Sequence, residues 1–293
     1  MPMTTIERNR KASLGLSIGA MSLSASAVLL GLAATTPATA TVTRCSLAVP
    51  VVAALGFAER RRRGGLEASE YVSATLCGVL FAGDMLWWTQ SIPEVGAGLS
   101  TVLVNTQVAI VPLLGWLVDG ERITRRFAWA LPAILAGVLL AGGVFEHGVR
   151  GTNPTWGTVH SIAAALCYSG FLFLLRRGGQ GGRPVQTYTV VLGSSAAVAV
   201  AVGLAGGRLD VAPGWATAGW LLLVTITGQL VGWLLVAFYT PKLPSEISSA
   251  LLMLMPVGAV VLGALVLGER PSPLQLAGCA LVLVASYVGT ARR

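Results

Sequence analysis

The sequence predicts an all-α integral membrane protein: ten transmembrane helices arranged as two inverted five-helix repeats. Three observations predict it. Only 11% of the 293 residues are charged while 54% are apolar, against roughly 25% charged in a soluble domain. So few charges cannot solvate a globular surface of this size, and lipid becomes the main solvent. The apolar residues gather in ten runs, each close to the roughly 20 residues that a spanning helix needs. A Gly-Glu-Arg triplet also recurs half a chain apart.

The runs fall at 12–34, 38–58, 68–90, 94–118, 127–145, 154–175, 185–206, 214–239, 244–267 and 273–291. Brief polar loops separate them at 59–67, 119–126, 176–183 and 206–213. No run gives way to the alternating ten-residue segments of a barrel, so a helical bundle is expected. The second run begins weakly, because Pro37, Thr39, Thr41 and Arg44 dilute its start. Arg8, Arg10 and Lys11 before the first run, with Ala38-Thr39-Ala40 after it, outline a secretory signal. That run is long for a signal and the repeat needs it, so a retained first span is expected. With the amino terminus inside, every basic residue except Arg44, Arg150, Arg208 and Arg270 lies on the cytoplasmic side. The positive-inside rule then puts both termini in the cytoplasm and the chain in the cytoplasmic membrane. Trp87, Trp88, Trp156 and Trp215 fall near the predicted outer interfaces, where aromatic belts sit.

Several function classes are excluded by composition. The net charge of +8 would suit nucleic acid, but the arginines are scattered between apolar runs, so no nucleic-acid partner is expected. Cys45, Cys77, Cys167 and Cys279 lie far apart with no Cys-x-x-Cys pair, and read as small packing residues. His147 and His160 stand alone, so neither a metal site nor a cofactor is expected. No phosphate-binding loop, zinc-protease helix or nucleophile–His–Asp set is present, and the chain reads as no enzyme. The expected partners are membrane lipid and a small-molecule substrate.

The triplets begin at Gly120 and Gly268, a period of 148 residues that extends backwards from Ser248 to Ser100 and forwards from Leu283 to Leu135. Five spans per period is an odd number of crossings, so the halves, 1–146 and 147–293, lie inverted in the membrane. Inverted repeats are a device of secondary transporters, which hold substrate at the repeat interface near the midplane. The stretch from Ser249 to Ala285 resembles the second EamA domain of the drug/metabolite transporter superfamily. The region from Leu103 to Leu114, with its Gly-Glu-Arg, resembles the first. The resemblance covers essentially the whole chain. It implies ten helices in two inverted repeats, cytoplasmic termini and transport of small metabolites, often outward. One departure concerns the proline expected early in the fourth helix. Val108 stands there and Pro112 follows four residues later, while Pro256 keeps the place in the second half.

Among the polar residues, Glu121 and Glu269 of the triplets sit at span ends and read as turn and cap residues. Asp84 stands roughly 9 Å inside the outer end of the third run, counting back from Gln90 at 1.5 Å per residue. A charge there costs up to about 2.5–3.5 kcal/mol on insertion scales, so an ionisable residue inside a span is by default a functional-site hypothesis. The stretch from Phe81 to Trp88 also resembles a recurring third-helix pattern of the family, so Trp88 is expected with Asp84 among the substrate-binding or coupling residues. Asn105 and Gln107 point to different faces of the fourth helix, so at most one of them is expected in a central cavity. Gln229 and Trp233, four apart, share a face of the eighth helix, the counterpart of the third. His160 and Tyr168 lie two turns apart on the sixth, with His160 at the depth of Asp84 as its candidate proton-sharing partner. Gly15 with Gly19, and Gly228 with Gly232, have the spacing that lets membrane helices approach closely.

The reading is a secondary transporter of amino-acid-like, amine or drug-like metabolites, an alternating-access exporter with Asp84 coupling to protons or binding substrate. Uptake or facilitation without protons is the alternative within transport. A non-transporting sensor or scaffold is the alternative outside it. One acid and few bases in the cavity argue against strongly anionic cargo.

Overall fold

The computed structural model describes residues 5–120, 123, 125–141, 152–178, 182–239, 242–243 and 251–290. Glu121, Arg122, His147, Arg150 and Ser248 lie outside them, so the first Gly-Glu-Arg turn is not described. All regular structure among the described residues is helical. In chain order the helices are α1 (Thr5–Ala33), α2 (Pro37–Arg63), α3 (Ala68–Val95), α4 (Ala97–Val104), α5 (Gln107–Asp119) and α6 (Arg125–Ala141). They are followed by α7 (Pro154–Gly178), α8 (Pro184–Ala205) and α9 (Trp215–Val224), a π-helical segment (Thr225–Gly232), then α10 (Trp233–Tyr239), α11 (Leu254–Val266) and α12 (Pro273–Thr290). Among the described residues, seven helical stretches are long and apolar enough to cross a membrane, with α4–α5 and α9–π–α10 each counting as one. The surface fits lipid: Leu14, Trp129 and Leu265 are exposed, while Arg44, Asp84, Glu94 and Gln229 are buried inside.

Local chemistry sets the boundaries. Thr36 caps α2 by accepting from the Thr39 amide at 3.2 Å, and Pro37 follows at the first helical position, where its missing N–H costs nothing. The weak start expected for the second span is therefore an ordinary helix start, and Arg44 lies two turns inside α2 instead of in a loop. At α3, Glu67 and Glu70 form a reciprocal capping box in which the Glu67 amide donates to Glu70 at 2.7 Å. The helix then runs 28 residues through Pro93 and stops at Gly96, whose φ of 99° only glycine adopts freely. The expected loop at 91–93 is absent, and Glu94 ends the third helix instead of opening the fourth.

In the fourth span α5 runs on through Pro112. The span breaks at Asn105 and Thr106, whose side chains bond back to the Thr101 and Leu103 carbonyls at 2.9 and 2.8 Å and compete with the helical ladder. A turn at Met253, 148 residues later, precedes α11. The halves therefore break at matching positions, one beside Pro256 and the other through polar side chains.

Among the packed pairs are α3 with α7, α1 with α9–π–α10, α2 with α8, α6 with α12 and α4 with α11, and α3 also packs on α8 and α1 on α11. At the α1 seam Gly19 meets Gly232, while Gly15 faces Tyr239 and Gly228 faces Ser26. A Cβ on Gly19 would lie 3.0 Å from Leu235 Cβ and 3.3 Å from the Gly232 carbonyl, and one on Gly232 would lie 2.7 Å from Leu23. Gly232→Leu is accordingly expected to lower the detergent unfolding midpoint and folded yield, since overpacking costs about 1–3 kcal/mol. An unchanged midpoint would show that the seam has slack.

Candidate functional site

A cavity of about 80 Å³ opens where α1, α2, α3, α4, α7 and the π segment converge. Of the residues singled out in the sequence, Asp84, Trp88, Tyr168, Gln229 and Trp233 line it. Trp88, expected at the outer interface, turns inward, whereas Trp87 stays exposed. Asp84 is 8% exposed and eleven residues from Val95, roughly 17 Å along α3, so it sits deeper than the sequence suggested. Gln229 reaches the cavity from the π segment, a distortion frequent at functional sites. Its side-chain carbonyl accepts from the Tyr188 hydroxyl at 2.8 Å, and its amide faces Met85 Sδ at 3.4 Å. Phe81, Tyr168 and Trp233 form one aromatic wall, with Phe81 edge-on to Trp233 at 5.8 Å and Tyr168 edge-on to it at 6.0 Å.

Three expected residues lie elsewhere. Asn105 is occupied in the α4–α5 break, and Gln107 starts α5 outside the cavity lining. His160 does not pair with Asp84. Its Nδ1 lies 2.6 Å from Glu94, which also accepts from Gln90 at 2.8 Å, and its ring stacks on Trp87 at 5.1 Å. The reason is register: the extra turn of α3 brings Glu94 level with His160 and leaves Asp84 deeper. This cluster ties α3 to α7 near their ends.

The residue that sequence reasoning missed is Arg44. It lines the cavity at 3% exposure, its guanidinium 5.7 Å from the Trp88 ring. Its Nε and Nη2 have no hydrogen-bond partner among the described residues. Asp84 lines the same cavity, and no hydrogen bond or direct ion pair joins the two among the described residues. The Thr36-Pro37 start signal was the clue that Arg44 lies within a helix.

Glu269 behaves as a cap. Its carboxylate accepts from the Ala97 and Gly98 amides at 2.5 and 3.1 Å, closing the start of α4 from the other half of the chain. Burial pushes its carboxyl pKa up while those two amides pull it down, burial being the larger effect. A second cavity of about 290 Å³ beside it is lined by Gly96, Gln275 and Arg270, but its acid is already satisfied. No group of three His, Cys, Asp or Glu side chains placed to hold a metal ion occurs among the described residues.

The sequence profile of the EamA-like transporter family matches residues 10–143 and again 155–290. No curated protein matches the chain. A solved structure titled "Crystal structure of protein" superposes with a TM-score of 0.59 over 96% of this chain and 98% of its own, at 20% identity, which is a likeness of fold.

Proposed function

Because this chain belongs to the EamA-like transporter family, we propose that it is a secondary transporter carrying small organic metabolites outward across the cytoplasmic membrane by alternating access. Ten helices in two inverted repeats form the carrier, both termini are cytoplasmic, and Asp84 is the coupling or substrate-binding group, exchanging protons when coupled. The carrying observation is the cavity between the halves, where a buried acid faces polar and aromatic side chains without a hydrogen-bond partner among the described residues. The repeat reading is supported by the packing: shifting by 148 residues exchanges α3–α7 with the contact of α1 and α9–π–α10, and returns α2–α8, α4–α11 and α6–α12 to themselves. The matched breaks at Asn105 and Met253 support it as well.

The test compares medium and extract of cells expressing the protein or an empty vector, by untargeted mass spectrometry. Metabolites enriched in the medium by the protein are expected. Depletion from the medium instead would reverse the direction to uptake. No difference, with membrane insertion confirmed, would favour a non-transporting sensor or scaffold.

A further inference from the structure

Arg44 and Asp84 are opposite charges in one buried cavity, yet they do not bond each other. A guanidinium with two unpartnered nitrogens is a poor resting arrangement, since a buried charge persists only when paired and hydrogen-bonded. Were Arg44 present only to neutralise Asp84, a direct fork-to-carboxylate pair would be the favoured geometry. Both line the same cavity, so a molecule held there can offer an anion to one and a cation to the other.

We infer that Arg44 is the carboxylate-binding group of this cavity, and that the cargo is a compact zwitterion carrying a carboxylate for Arg44 and an ammonium for Asp84. The inference rests on the transport reading above and names its substrate class. A simple amine would leave the guanidinium unsatisfied, and a simple acid would set two carboxylates in one small space. A phosphorylated cargo would bring more negative charge than a single arginine beside an aspartate balances. Arg44 suits the carboxylate because its planar donors match two oxygens at once, and its guanidinium lies over the Trp88 ring, 5.7 Å from the centroid. The aromatic wall of Phe81, Tyr168 and Trp233 faces the remainder of the cargo, which is therefore apolar or aromatic. At about 80 Å³ the cavity is small beside ligand pockets of roughly 300–1,000 Å³, which favours a compact molecule.

The experiment uses the full chain in proteoliposomes loaded in turn with the protein amino acids, with their decarboxylated amines and with their deaminated acids. Efflux of each set is read by mass spectrometry. At least one amino acid is expected to leave about tenfold faster, or more, than its own amine or acid. Arg44→Gln is expected to abolish the preference over the amine, and Asp84→Asn the preference over the acid. Each loss is about 10- to 100-fold, as for hydrogen bonds to charged groups. Arg44→Lys, which keeps the charge without the fork, is expected in between and carries the test should Arg44→Gln not fold. Efflux of amines alone, or an equal slowing of all three sets by Arg44→Gln, would overturn the zwitterion while leaving transport standing. Efflux no faster than from protein-free vesicles, together with no metabolite difference in cells, would remove both.

Discussion

Asp84→Asn, reconstituted in vesicles with an imposed pH difference, is expected to lose accumulation of cargo against its gradient while keeping downhill flux at saturating cargo within about tenfold. The change removes one ionisable oxygen and almost no volume, so the packing of Phe81, Met85 and Trp88 around it is preserved. Coupling needs a group that carries a proton in one facing state and releases it in the other, and an amide does neither. Asp84 suits that duty because it faces the cavity and makes no hydrogen bond among the described residues that would hold it in one form. Uphill accumulation by the variant would return Asp84 to a structural or purely binding role.

Neutralising both charges together is expected to make the protein more stable and unable to accumulate cargo against a gradient. Arg44→Met combined with Asp84→Asn removes two buried charges at once, and replacing such pairs by apolar or neutral groups is often neutral or stabilising by about 1–4 kcal/mol. Either change alone leaves one buried charge without its opposite, and because no ion pair joins the two the loss is expected to stay below the roughly 3–5 kcal/mol of a broken buried pair. Unfolding midpoints should therefore fall in both single variants and recover to or above the parent in the double one, while the double variant accumulates no cargo against a gradient. Two independent, additive decreases would mean that the charges do not act on each other.

Much of the bundle was legible because the membrane imposes one rule, that backbone groups be satisfied within the segment. Over their described residues, the fourth to tenth apolar runs correspond to helices, whole or broken, that keep within about three residues of the expected bounds, while α1 begins early and α2, like α3, runs past its expected end. The third overran its limit. Its end was taken from the first polar residues after Gln90, although a proline in a last turn does not stop a helix whose C-cap is a glycine three residues on. That single misjudged boundary hid both the Glu94–His160 pair and the depth of Asp84. Arg44 escaped for a related reason: charge was read as loop, while the capping residues upstream said helix. The occupation of Asn105 was not legible at all, since a side chain folding back on its own helix leaves no pattern in the sequence. The aromatic wall was half legible, Tyr168 and Trp233 being foreseen and Phe81 not.

The link between α3 and α4 is the single residue Gly96. A hinge one residue long has no slack to give, and here the Glu269 carboxylate clamps the far side of it. Any rocking of the halves must then be taken up within the rods themselves, at the break after Val104, its counterpart at Met253 and the overwide turns from Thr225 to Gly232. On the proposed reading these elbows lie beside the cavity, whose lining includes Val104, Gln229 and Met255, so that filling it and bending the rods become one mechanical event.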